Sequence, residues 1–212
     1  MFKDLFGSRK PKKLNAPLPI RDFDREHAII IKQGKRAIDE GSQDEAMRYF
    51  KDAERLCLSR GDKNNLAASH DMQAVLLRKQ GMPNEALRHL WASERIYSET
   101  GNRSALAVCF AAQAFIHREL GQLYFAVGLL KREEWIWREI ADFENLIMSF
   151  DRLATLYDEM GLPQFVSGVL KEKKVILETP EKSGKSLVIE HAGGQSTEIV
   201  FELESDQPKE EA

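Results

Sequence analysis

The sequence predicts an all-α fold: an α-solenoid of four stacked helical hairpins, closed at its C-terminal end by a short β-hairpin. Three observations predict it. Glycine recurs at Gly41, Gly61, Gly81, Gly101, Gly121 and Gly161, one every 20 residues, with Ala141 in the missed slot. The segments between these stops carry apolar residues at helical spacing. The stops alternate in type, so the true period is 40 residues.

Each observation has a physical content. A glycine just past a helix end supplies the left-handed backbone that closes it, so the regular stops cut the chain into rods of roughly 17 residues. Within 83–100, Ala86, Leu90, Ser93 and Tyr97 share one helical stripe. Within 122–140, Ala126, Leu130, Glu133, Trp137 and Ile140 do the same. Asp44, Asn84 and Asn102 stand near helix starts, where a short polar side chain accepts an orphan amide proton. Pro83 and Pro163 fall in first turns, where a missing amide costs little. One class of unit ends in a tight turn, as at Gly41-Ser42-Gln43 and Gly81-Met82-Pro83. The other ends in a looser link, as at Gly61-Asp62-Lys63-Asn64 and Ala141-Asp142-Phe143-Glu144. The array thus spans 22–179, with hairpins at 22–60, 62–100, 102–140 and 142–178.

The units share a code of small and large side chains. Midway along each first helix stand Gly34, Ala74, Ala114 and Ala154. Early in each second helix stand Ala46, Ala86 and Ala126, with Val166 departing. Four residues on stand the large apolar Phe50, Leu90, Leu130 and Leu170. The next small position holds Ala53 and Ser93, but Glu133 and Lys173 break it. Small residues let two helices approach and the large one fills the gap to the next hairpin. On these residues the chain resembles the tetratricopeptide repeat (TPR) family. It is similar to the longer-helix variant seen in kinesin light chain and in bacterial regulator domains. The resemblance covers about 157 of 212 residues. The weaker match of the fourth unit fits a terminal repeat.

The resemblance implies a concave groove formed by the first helices of the hairpins. Matched position by position, the groove is lined by Ile31, Lys35 and Asp39, then Asp71, Val75 and Arg78. Ala111, Phe115 and Arg118 follow in repeat three, and Asp151, Thr155 and Asp158 in repeat four. The family's Lys/Asn clamp on a peptide carboxylate is missing. Ile31, Asp71, Ala111 and Asp151 hold the lysine-type position, and Lys35, Val75, Phe115 and Thr155 the asparagine-type one. Arg78 and Arg118 are equivalent one repeat apart, and either fork onto a ligand carboxylate or pair with acidic residues across the helices. A second surface is read on the outer stripe of the second helices. Lys51 and Arg55 lead to Arg88, Trp91 and Arg95, then to Lys131, Arg132 and Trp135. Exposed Trp beside Arg marks either a binding ridge or a set of cation–π contacts within the chain.

The two ends differ from the array. In 1–21, Lys3, Arg9, Lys10, Lys12, Lys13 and Arg21 oppose Asp4 alone. Phe2, Leu5 and Phe6 precede the basic cluster, so residues 1–13 read either as a solvated tail or as a weak contact to an anionic membrane surface. In 180–212, two β-rich runs, 186–191 and 197–204, flank Gly193 and Gly194 and predict a β-hairpin with an acidic tail beyond it. A two-stranded hairpin is marginal alone. It is expected to cover Val166, Val169, Leu170 and Ile176, or to leave that end for a second copy of the chain.

Composition closes off other classes. A net charge of −3 argues against a general nucleic-acid partner. Cys57 and Cys109 form neither a disulfide framework nor a metal motif, which points to a reducing, cytoplasmic setting, with peripheral membrane contact only through the tail. His27, His70, His89, His117 and His191 are scattered, and Lys182-Ser183-Gly184-Lys185-Ser186 lacks the first glycine of a phosphate loop. No catalytic, cofactor-binding or metal-ligating set is read. The sequence predicts a non-catalytic adaptor or assembly factor that binds a protein or peptide. The alternatives are a self-assembling structural protein and a peptide- or effector-sensing regulator.

Overall fold

The computed structural model describes residues 20–178, together with 187–190 and 196–199. Eight helices follow one another: α1 (Ile20–Asp39), α2 (Gln43–Arg60), α3 (Lys63–Lys79) and α4 (Pro83–Thr100), then α5 (Arg103–Glu119), α6 (Leu123–Glu139), α7 (Phe143–Glu159) and α8 (Pro163–Glu178). Each helix packs on its neighbours in the chain, α1 and α8 on one and the others on two, which is the arrangement of an α-solenoid. Two further segments, Leu187–Glu190 and Ser196–Ile199, pair antiparallel with Leu187 opposite Ile199. The fold assignment rests on the helices, and the expected C-terminal hairpin is no part of it. Residues 1–19 of the basic tail, the end of the second β-rich run from 200 and the acidic tail 204–212 lie outside the described residues, as do His191 and the 182–186 motif. Among the described residues no helix is long and apolar enough to cross a membrane.

The turn glycines adopt the left-handed backbone their spacing predicts, as at Gly101 with φ 70°. Ala141 takes the same conformation at φ 54°, without glycine's freedom. The caps are distributed differently from expectation. Asp62, Asn102 and Asp142 open the helices that follow loose links and accept the backbone amides of Asn65, Ala105 and Asn145 at 3.0, 3.2 and 3.1 Å. Asp44 and Asn84 instead lie inside the first turns of α2 and α4, behind Ser42 and Met82, which make no side-chain cap. The tight turn fixes those helix starts by its own backbone bonds, as in Met82 N–H to Leu77 C=O at 2.9 Å.

The core is the small-and-large code in three dimensions. Ala86, Leu90, Ser93 and Tyr97 are all buried, as are Ala126, Leu130, Glu133 and Trp137. At the closest approach, a Cβ added to Gly34 would stand 2.5 Å from Phe50 Cε1. The later repeats use alanine and leucine at the same two places, so repeat one exchanges a smaller residue for a larger partner.

Glu133 breaks the sequence code but not the packing. Its side chain accepts from Trp137 Nε1 at 3.1 Å, Ser149 Oγ at 3.3 Å and Arg152 Nη1 at 2.6 Å. Burial pushes its carboxyl above the usual range, and those three donors oppose the shift. Glu134 is buried too, held by Lys131 and by Arg138 at 2.7 Å. The two adjoining glutamates meet different partners, so α6 is held on both sides. Lys173, the other break, pairs with Asp151 at 2.5 Å. Polar rungs also repeat: Gln73 donates to Glu54 at 2.6 Å, and Gln113 to Glu94 at 2.8 Å. Cys57 and Cys109 are buried free thiols, pushed up by burial to about 11 and about 12.

Candidate functional site

The first helices of the hairpins wall the groove. α5 and α7 face each other where repeats three and four meet, and α6 closes the floor between them. The result is a pocket of about 330 Å³. Ala111 and Ala114 are small enough to leave the space, Leu130 and Leu156 supply an apolar floor, and Phe115 forms one wall. Arg118, Asp151, Arg152 and Thr155 form the polar rim. Five of the groove residues expected from sequence, Ala111, Phe115, Arg118, Asp151 and Thr155, therefore converge on one cavity. Phe115 is 45% exposed, a large ring only half-covered by its own chain.

The charges at the rim are already engaged. Arg78 donates to Glu119 at 2.9 Å, and its guanidinium lies 4.7 Å from the centre of the Phe115 ring. Arg118 holds both oxygens of Glu159. Of the two alternatives for these arginines, pairing across the helices is the one observed, each to a glutamate of the next repeat. Asp151 is engaged by Lys173. Asp71 differs from the rest: Tyr97 Oη donates to its Oδ2 at 2.7 Å, while its Oδ1 is buried without a partner. Burial raises its pKa against the hydrogen bonds from Ser93 and Tyr97. Val75 is exposed at the groove, as are Lys35 and Asp158, which stand apart from the pocket.

The outer ridge holds a second cavity, of about 400 Å³, between α4, α5 and α6. Arg132 and Trp135 line it, as expected from sequence, together with Lys131, and Arg103 joins them from α5. The cation–π partners differ from the expected ones. Trp135 is covered by Arg103 at 5.0 Å rather than by its own helix, and Arg132 lies over Phe110 at 4.1 Å. Arg88, Trp91 and Arg95 are exposed on α4, outside the cavity wall.

Two features escaped the sequence reading. Phe125 stacks on His117 at 5.8 Å, and Phe165 on Tyr157 at 5.1 Å. The pairs are 40 residues apart, so the repeat spacing contained the signal. The second is the contact of His70 Nδ1 with His89 Nδ1 at 3.3 Å between α3 and α4. Their separation in sequence gives no motif. Among the described residues no group of three or more His, Cys, Asp or Glu is placed to hold a metal ion.

Against solved structures, the chain is similar to BtubC (BKLC) from P. vanneervenii, with a TM-score of 0.64 at 14% identity over 80% of this chain and 73% of that one. Two structures of a Podosopora anserina kinesin light chain protein with nearly identical TPR-like repeats match at TM-scores of 0.46 and 0.45, both at 14% identity. They cover 73% and 76% of this chain, and 94% and 98% of theirs. No protein-family model matches the sequence, and no curated protein does. The fold is TPR-like, as its helix order and the BtubC superposition both show.

Proposed function

We propose, from this TPR-like fold, that the chain is a non-catalytic protein- or peptide-binding scaffold that grips its ligand where repeats three and four meet. The observation that carries the reading is the α5–α7 pocket, with an apolar floor, a half-exposed Phe115 and a polar rim. Such a cavity accepts an apolar anchor side chain, and the rim orients the ligand backbone. Stacked helices hold the walls in place before the ligand arrives, so little ordering entropy is lost on binding. Peptides selected by display on the immobilised chain should carry an apolar anchor. Their binding should be lost in Phe115→Ala and in Thr155→Arg, both at exposed positions, and kept in Trp135→Ala. Undiminished binding to both groove variants would remove the groove from this reading.

A second reading, self-association through the end of the array, is favoured by α8. Phe165, Leu170 and Leu177 are 49%, 45% and 62% exposed on that last helix. A terminal repeat needs a polar outer face or a cover, and the cover would be either the C-terminal hairpin or a second copy. Light scattering across a concentration series separates the two. A mass that rises with concentration, and is lost in Leu170→Glu/Leu177→Glu, supports association; a constant monomer mass removes it.

A further inference from the structure

The cavity on the outer ridge carries an inference independent of the groove. Three cationic side chains line it, Arg103, Lys131 and Arg132, and no carboxylate does. Its aromatic walls are Phe110 and Trp135. The acidic partners of these cations stand outside the wall: Glu139 for Arg103, Glu134 for Lys131 and Glu94 for Arg132. The last pair is the loosest, at 3.5 Å, and Arg132 is 58% exposed. A long pair with so exposed a cation exchanges partners at little cost. A second observation points the same way. The Nε of Arg103 is buried without a partner, although Arg103 is already paired with Glu139. A buried donor left unmade is costly, and an incoming acceptor relieves that cost.

The aromatic content decides the rest of the ligand. Trp135 is 59% exposed, and a ring of that size next to a cationic cluster suits an apolar side chain adjoining a carboxylate. One wall residue, Ser98, continues a helical stripe that runs back through Arg95 to Trp91, which is 52% exposed. The surface that meets such a ligand therefore extends along α4. We propose that the ridge cavity is a docking site for an acidic segment of a partner protein, with a carboxylate among Arg103, Lys131 and Arg132 and an apolar neighbour on Trp135. The chain would then hold two ligands on different faces.

The test uses the full chain and short fluorescein-labelled peptides read by anisotropy. The probe peptide alternates glutamate with leucine and phenylalanine; the comparison peptide replaces each glutamate by lysine. A single-stranded oligonucleotide and inorganic polyphosphate form the other arms. The acidic peptide should bind, more weakly as salt rises, and the basic one should not. Lys131→Ala/Arg132→Ala and Trp135→Ala should each weaken it by about tenfold or more, the loss expected of a hot-spot residue. Arg132→Glu should abolish binding. Arg36→Ala, exposed on α1 and part of neither cavity, should leave it unchanged. Circular dichroism confirms the fold of each variant. Equal binding of the acidic and basic peptides, unchanged affinity in Arg132→Glu, or binding of polyphosphate or oligonucleotide alone would each overturn the proposal.

Discussion

Arg118 reaches 41 residues forward to Glu159, with its Nε 2.9 Å from Oε2, and Arg78 repeats the relationship with Glu119. These bonds tie successive repeats along the lip of the groove. They lie at the surface, where an ion pair contributes about 0–1 kcal/mol. Arg118→Ala should therefore lower the unfolding free energy by less than about 1 kcal/mol in a urea titration. A larger loss would mean that the lip, rather than the packed core, joins repeats three and four.

The pairing of Gly34 with Phe50 gives a sharper stability test. Gly34→Ala places a methyl group 2.5 Å from a ring that is fully buried. Overpacking of this kind costs about 1–3 kcal/mol. Adding Phe50→Leu recreates the alanine–leucine pair of the other repeats and should recover most of the loss. Thermal melts of the single and double variants give the coupling directly.

Ala141 is the one link position where glycine's conformational freedom is missing. Its φ of 54° is unfavourable for any side chain with a Cβ. Ala141→Gly should raise stability by about 0.5–1 kcal/mol, the left-handed cost relieved less the extra entropy of glycine in the unfolded chain. An unchanged or lower melting temperature would contradict this.

Glu133 and Arg152 should respond unequally to substitution. Glu133→Gln keeps an acceptor for Trp137, offers Ser149 Oγ an amide donor in place of the second oxygen, and removes a carboxylate that burial already disfavours. Arg152→Met leaves that carboxylate buried without its cation and should cost roughly 2–3 kcal/mol, against less than about 1 for the glutamine variant. Denaturant midpoints of the two variants at neutral pH decide the order.

The His70–His89 contact predicts an acid-sensitive junction. Burial lowers both imidazole pKa values, and the neighbouring ring lowers that of His89 further. Lys51 and Glu54 face the pair from α2, and Arg95 from α4. With folded values below the unfolded 6.5, the unfolded chain binds more protons as the pH falls, so stability is full above that value and declines below it. The wild type should lose stability between about pH 7 and pH 5 more steeply than His70→Gln/His89→Gln. His27, Asp71 and Glu133 titrate in both proteins and cancel in the difference. Parallel profiles would show that the pair binds protons equally in the folded and unfolded states.

The repeat was legible because its cause is local and periodic. Gly81, Ala74, Ala86 and Leu90 each answer a steric demand that returns every 40 residues, so position alone identifies their partners. The convergence of Phe115, Arg118, Asp151 and Thr155 followed from that register. What stayed hidden depends on contacts that break it. Glu133 looked like a defect because its partner Arg152 lies 19 residues away on another helix. Arg103 was absent from the outer stripe because it opens α5, a first helix of its hairpin, and reaches the ridge from there. The caps were misplaced at Asp44 and Asn84 because tight turns secure their helices by backbone bonds and need no side-chain acceptor.

Since each helix leans chiefly on its chain neighbours, no long-range clasp among the described residues joins the two extremities of the ladder. Opening free energy should then fall off towards the ends, with α8, which has one helical neighbour, surrendering its amide protons to solvent before α4 and α5 do. An anchor seated between α5 and α7 would steady the penultimate helix and slow that fraying. Occupancy of the groove would thus be written into the hydrogen-exchange record of a segment that the ligand never touches.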